Sequence, residues 1–292
     1  MSPIPGTFRI IAQRFPNAAV IELWVVPGVC SVMTDDILVD VDATGVAVVT
    51  LNRPEKRNVV SLAMWRGLAE IYSGFAQRGD VRVVILTGAG GHFSGGADIS
   101  EFSRVRNTVE DTRVYSAAGR AATQAIIDLP QPTIAAVHGY GVGGGCGLAL
   151  ACDLRVGDAT TQMGIPAARL SIVYDTLDCS LLLRAVGLAN AKLVLYSGRY
   201  FPVRDCQSMR LLDVVSETGA LDGAYALSRE LSTRAPLSQR GAKVVLEALA
   251  RDEVEQRVAE IAAAQEAAVN SEDYREARQA FLEKRTPVFK GR

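Results

Sequence analysis

Two glycine-rich segments, G-H-F-S-G-G-A-D-I (Gly91 to Ile99) and H-G-Y-G-V-G-G-G-C-G (His138 to Gly147), lie about fifty residues apart. Each follows a β-branched run and precedes a stretch of helical pattern. Glycines let backbone approach a ligand closely, and amides at a helix N-terminus have no intrahelical partner. Such donors suit a carbonyl gaining negative charge, and together the two loops read as an oxyanion hole for a thioester. A rival reading is a dinucleotide fingerprint: Gly139, Gly141 and Gly144 satisfy G-x-G-x-x-G, and Asp158 follows about twenty residues on. The helix after those glycines has room for only about nine residues before Asp153, short for a Rossmann crossover.

Other reactive residues are few. With two histidines, His92 and His138, a Ser-His-Asp triad or a His-rich metal site has little material, and both read as structural. No metal is expected. Cys146 adjoins the second glycine run without a histidine nearby and reads as small-residue packing. Asp98 and Glu101 read as helix-terminal carboxylates. One carboxylate is more promising: in L-S-I-V-Y-D-T-L-D, Asp175 stands among Ile172, Val173, Tyr174 and Leu177, apolar neighbours that could desolvate it and strengthen it as a base. The alternative is an N-cap for a helix beginning near Thr176, with Asp178 in its first turn.

The elements that must position these residues follow an α/β rhythm from Asp36 onward. Ile37 to Val41 and Val46 to Leu51 read as a hairpin, Leu62 to Ala76 as a helix, and Val81 to Thr87 as a buried strand entering the first glycine loop. A helix over Val109 to Leu129 ends at Pro130, and Thr133 to Val137 is a strand. A short helix from about Gly144 to Cys152 and a strand at Leu154 to Val156 continue the alternation. Beyond Asp178 the pattern is nearly all helical, notably at Ala242 to Ala250 and Glu253 to Ala280. Three parts are expected: residues 1–35 as an appendage without sustained period, compatible with disorder, 36–215 as the core, and 216–292 as a helical region.

The 292 residues are 49% apolar and 22% charged, with a net charge of -1. Neither sign dominates, so nucleic acid and anionic membrane are not expected partners. Five scattered cysteines predict reduced thiols and a cytoplasmic compartment. The apolar stretch Ala18 to Met33 holds Glu22, Pro27 and Gly28, too interrupted to span a membrane and too far along for a signal peptide.

The order L-N-R-P-E-K-R-N-V-V-S (Leu51 to Ser61), H-F-S-G-G-A-D-I, then P-T-I-A-A-V-H-G-Y-G-V-G-G-G-C-G-L-A-L-A-C-D-L-R (Pro132 to Arg155) resembles the enoyl-CoA hydratase/isomerase (crotonase) superfamily. The likeness continues through L-R-A-V-G, Y-S-G-R and F-L-E-K-R-T-P-V-F-K-G and covers about Asp36 to the C-terminus. It implies an α/β fold with a ββα spiral core and C-terminal helices that assemble a homotrimer or a dimer of trimers. It also implies an acyl-CoA thioester substrate, with coenzyme A as part of the substrate and no permanently bound cofactor. The oxyanion donors would be the N–H groups of Ala97 and Gly144. Lys56, Arg57, Asn58, Val59, Ala97, Asp98 and Ile99 would lie near the coenzyme A portion, with Phe281 and Lys284 near that of a neighbouring subunit. Tyr115, Arg120, Gly147, Ala167 and Tyr174 would shape the acyl pocket.

The resemblance departs at the acids. Gly147 and Ala167 stand where hydratases carry their two glutamates, and neither can transfer a proton. Asp175, twelve residues before Gly187, holds a register used by the catalytic glutamate of peroxisomal-type 3-enoyl to 2-enoyl-CoA isomerases, an aspartate of dienoyl-CoA isomerases and the nucleophile of 4-chlorobenzoyl-CoA dehalogenases. Single-carboxylate isomerisation is the expectation. Dehalogenase or hydrolase chemistry at Asp175 is the alternative, weakened by Arg120 and Ala167 where that chemistry uses histidine and tryptophan. Hydration by other residues, a non-catalytic coenzyme A ester binder and an RNA binder remain further readings.

Overall fold

The computed structural model describes residues 35–292 and, before them, only the antiparallel pair β1 (Phe8–Arg9) and β2 (Trp24–Val25). Apart from Asp35 and that pair, the appendage expected over residues 1–35 lies outside the described residues.

β3 (Ile37–Val41) and β4 (Val46–Leu51) form the expected hairpin, in register from Ile37 opposite Leu51 to Val41 opposite Ala47. The Asp42 carboxylate closes its turn by accepting the N–H groups of Thr44 and Val46. α1 (Leu62–Ala76) starts where Ser61 Oγ accepts the Met64 N–H and leads to β5 (Val83–Gly88). α2 (Phe102–Val105) precedes α3 (Val109–Ile127), which opens with a Thr108/Asp111 capping box. β6 (Thr133–Val137), β7 (Tyr140–Val142), α4 (Gly144–Ala151), β8 (Leu154–Gly157) and β9 (Gln162–Gly164) follow.

The remaining elements are α5 (Thr176–Ser197), β10 (Phe201–Pro202), α6 (Val203–Ser208), β11 (Val214–Val215), α7 (Ala220–Ser232), α8 (Pro236–Ala250), α9 (Val258–Asn270) and α10 (Glu272–Glu283). The region past Asp178 is nearly all helical, as expected, with β10 and β11 as two-residue exceptions. Asp252, just before the helical stretch expected over Glu253 to Ala280, takes a left-handed φ of 58°, and within that stretch Ser271 ends α9 and caps α10 with its hydroxyl.

The main sheet runs β11-β8-β6-β5-β4-β3 and is parallel except for the hairpin. A second sheet runs β10-β9-β7. Alternate residues decide which core each strand joins. Val46, Val48, Val83, Ile85, Ile134 and Ala136 meet Ala220 and Ala224 of α7, while Ala47, Val49, Leu51, Val84 and Leu86 share a larger core with α1 and α3. α7 thus covers the main sheet itself, although it begins just past the residue-215 boundary expected for the core.

α5 is apolar enough over 22 residues to match a membrane span by composition. Gly187 breaks it with φ 74° and ψ 166°. Each half, roughly ten residues at ~1.5 Å per residue, falls well short of a ~30 Å hydrocarbon core.

Candidate active site

The two glycine segments are laced together by backbone. Phe93 N donates to His138 O at 2.8 Å, Ser94 N to Tyr140 O at 2.8 Å, and Val142 N to Ser94 O at 3.0 Å. Both histidines serve this junction. His92 stacks on Tyr140 and its Nδ1 accepts the Tyr140 N–H, while His138 Nε2 lies 3.0 Å from Gly90 O.

Ala97 is aimed by the segment before α1. Val60 pairs with it as a parallel bridge: Val60 N donates to Gly96 O at 2.7 Å and Asp98 N donates to Val60 O at 3.0 Å. Strand alternation then turns the Ala97 N–H to the opposite side, toward the second loop. Gly96 makes the approach possible with a φ of 90°, a conformation side chains disfavour. Gly144 is the first residue of α4, so its N–H has no acceptor within the helix. A side-chain carbon on Gly144 would lie 3.5 Å from Ala97 N, which places the two amides side by side. Among the described residues neither N–H donates to another backbone group outside the regular elements.

These amides border a cavity of about 220 Å³ whose lining includes Trp65, Ile99, Arg106, Tyr115, Arg120, Ala167, Tyr174, Asp175 and Asp178. Trp65 Nε1 donates to the Tyr115 hydroxyl at 3.0 Å, fixing the ring that abuts Gly144. Ala167 is buried, and burial holds the Tyr174 phenol above its usual range. Cys146 is also buried, its thiol pushed up to about 12 by desolvation, which suits packing rather than nucleophilic work.

Asp175 is the N-cap that the alternative reading foresaw. Its Oδ1 accepts the Asp178 N–H at 3.0 Å, and its Oδ2 lies 3.4 Å from the Arg120 guanidinium. Asp178, passed over in the sequence as a first-turn residue, is the desolvated carboxylate. Burial, reinforced by the Asp175 charge and only partly offset by Arg120, pushes it up to about 6. A side-chain carbon on Gly147 would lie 3.5 Å from its Oδ1. The available signal was its spacing: a second carboxylate one helical turn from Asp175, opposite the vacant Gly147 position.

The residues expected near coenzyme A separate into two groups. Lys56 and Arg57 are exposed, with Arg57 over the Tyr140 ring, and Val59 and Ile99 are also accessible. Asn58 is fully buried: its Nδ2 donates to Ala89 O and His92 O, and its Oδ1 accepts the Arg53 N–H. Its side chain braces the first glycine loop and presents no ligand surface. Asp98 is likewise buried, 2.9 Å from Arg53 and capping the turn at Ser100. Burial opposes its ionisation, but the Ser100 and Arg53 hydrogen bonds and the Arg53 and Lys56 charges outweigh that and hold it below the usual carboxylate range. Phe281 and Lys284 sit at the end of α10 and do not line the cavity of their own chain.

The match to known proteins is extensive. The family model for enoyl-CoA hydratase/isomerase matches residues 42–292. The chain is similar to the 2,3-dehydroadipyl-CoA hydratase of Escherichia coli, at 32% identity over 85% of this chain and 96% of that protein. It is similar to the mitochondrial methylglutaconyl-CoA hydratase of Rattus norvegicus, at 30% identity over 85% of this chain and 80% of that protein. Among solved structures, an enoyl-CoA hydratase/carnithine racemase from Magnetospirillum magneticum superposes with a TM-score of 0.81 at 33% identity, covering 89% of this chain and 97% of the other. An enoyl-CoA hydratase from Bacillus anthracis gives 0.82 at 30% identity, covering 88% and 100%. The fold is that of the crotonase enzymes, and the chain belongs to the enoyl-CoA hydratase/isomerase family.

Proposed function

We propose that the protein binds an acyl-CoA thioester, holds its carbonyl oxygen between the Ala97 and Gly144 N–H groups, and moves a proton between two carbons of the acyl group. Coenzyme A enters as part of the substrate. The observation carrying this reading is the composition of the cavity: among the described residues its only carboxylates are Asp175 and Asp178, while Gly147 and Ala167 replace both hydratase glutamates. Two amides stabilising an enolate oxygen contribute roughly 3–4 kcal/mol each on the scale of oxyanion donors elsewhere. One proton-transferring carboxylate then suffices for isomerisation.

The names of the relatives favour hydration as a second reading. Nucleophilic attack by Asp175 is disfavoured because its carboxylate already faces a helix N–H and Arg120. Mass spectrometry of 2-enoyl-, 3-enoyl- and aryl-CoA thioesters incubated with the protein in heavy water separates the readings. Deuterium in an isomerised enoyl-CoA is expected. A product heavier by one water would establish hydration instead, and tight binding without turnover would leave a coenzyme A ester binder.

The C-terminal helices support the further proposal of a trimer or a dimer of trimers. Phe281 and Leu282 are 84% and 75% exposed on α10, an apolar surface suited to a second copy. Light scattering of the purified chain tests it. The four described cysteines are unpaired, which suits a reducing compartment such as the cytoplasm.

A further inference from the structure

We infer that Asp178, not Asp175, is the acid–base of the site, its carboxylate lying against the position from which a side chain at residue 147 would extend. The inference rests on the thioester reading above and assigns its proton to a named atom set.

Three observations carry it. Gly147 lies three residues beyond Gly144, one turn along the same face of α4, so a group over Gly147 stands close to the oxyanion amide. Among the described residues, and apart from α4's own backbone and the flanking residues, the atoms within 4 Å of a carbon added there belong to the Asp178 carboxylate. The two candidate acids also differ in their commitments. Asp175 uses one oxygen to cap α5 and turns the other to Arg120. The Asp178 carboxylate has no hydrogen-bond or ion-pair partner among the described residues and lines the cavity. Finally, the titratable and charged groups facing Asp178 are Arg120 from α3, Cys146 from α4, and Tyr174, Asp175 and Cys179 along its own segment; beyond burial, Asp175 and Arg120 are the two that act on its charge. Only Arg120 among them is cationic, and it is bound to Asp175.

The step balances without a co-reactant. The Asp178 carboxylate takes a proton from an acidic carbon of the acyl group. The C–H electron pair forms the new C=C bond as the carbonyl π pair moves onto the thioester oxygen, held by Ala97 and Gly144. The carboxylic acid so formed returns its proton to another carbon of the same dienolate. Asp175 and Arg120 act as positioning residues, tuning the neighbouring charge.

The test is α-proton exchange of butyryl-CoA in heavy water, followed by NMR across pH 4.5–8, with butyryl-CoA affinity measured by calorimetry. This reaction needs only the oxyanion hole and a base. Asp178→Asn should lower exchange by about 100-fold or more while retaining affinity, and Asp178→Glu should recover part of it. The acid limb of wild-type exchange should move to lower pH in Asp175→Asn, which removes a repelling charge, and to higher pH in Arg120→Gln, which removes an attracting one. Wild-type exchange by Asp178→Asn would overturn this inference alone. Loss confined to Asp175→Asn would return the role to Asp175. A wild-type protein that binds butyryl-CoA without exchanging it would overturn the enolate reading, and this assignment with it.

Discussion

Gly96 packs against Gly144 so closely that a side-chain carbon at position 96 would lie 3.1 Å from the Gly144 nitrogen and 2.7 Å from Val142 O. The spacing of the Ala97 and Gly144 amides, the proposed oxyanion donors, is therefore set by a contact that favours glycine, at a φ of 90°. Gly96→Ala is expected to cost roughly 1–3 kcal/mol from backbone strain. Because the intruding methyl parts the two amides, thioester turnover should fall by about 100-fold or more. Chemical denaturation and the exchange rate measured on the same preparation check the two parts. A folded variant with wild-type exchange would remove these amides from the mechanism.

Asp178 should make the protein less stable than it need be. Its carboxyl ionises less readily folded than unfolded, so the penalty is absent below the unfolded value, grows as pH rises from about 4 to about 6, and stays constant above. The shift corresponds to at most about 3 kcal/mol, which solvent at the cavity reduces to roughly 1–2 kcal/mol. Asp178→Asn is expected to unfold at higher denaturant than wild type at pH 7 and to match it near pH 4. A variant less stable at pH 7 would show the carboxylate to be structurally paired.

Gly147→Ala places its methyl 3.5 Å from Asp178 Oδ1, ordinary contact distance, at an interior helical position without positive φ. Stability should rise by about 0.5–1 kcal/mol through the lower backbone entropy of the unfolded chain. The added apolar cover should also move the acid limb of exchange to higher pH. An unmoved limb would place the titrating group away from α4.

Asp98 was expected near coenzyme A, yet its side chain is 4% exposed and paired with Arg53, itself 12% exposed. Asp98→Asn should cost about 2–3 kcal/mol at pH 7 by stranding a buried guanidinium. Since the ionised form is favoured in the folded state, that advantage is present above about pH 4 and is lost as pH falls through the lower folded value. Wild type and variant should therefore converge in acid, as urea titrations at several pH values would show.

The hairpin, α1, the β5 and β6 strands and both glycine loops were legible because each is written in local pattern: alternation for strands, a capped amphipathic repeat for helices, glycine where backbone must crowd. The C-terminal region was legible as helical, but not the places where its helices break. An alanine- and charge-rich run carries little to mark the left-handed turn at Asp252 or the Ser271 cap. Asn58 shows the reverse limit: the resemblance put it near coenzyme A by its place in the loop, and only the tertiary structure shows the backbone groups its side chain braces.

What the sequence determined alone was the α/β alternation and the two glycine loops, properties of residue type and near-neighbour spacing; the resemblance added that glycine and alanine stand at positions 147 and 167, where hydratases carry glutamate. The tertiary structure decided which aspartate is free. Asp175 and Asp178 occupy one turn of the same helix, and nothing local separates a capped, ion-paired carboxylate from a desolvated one. That difference arises where α3 brings Arg120 against one and α4 brings Gly147 against the other, because desolvation and charge act through space and not along the chain.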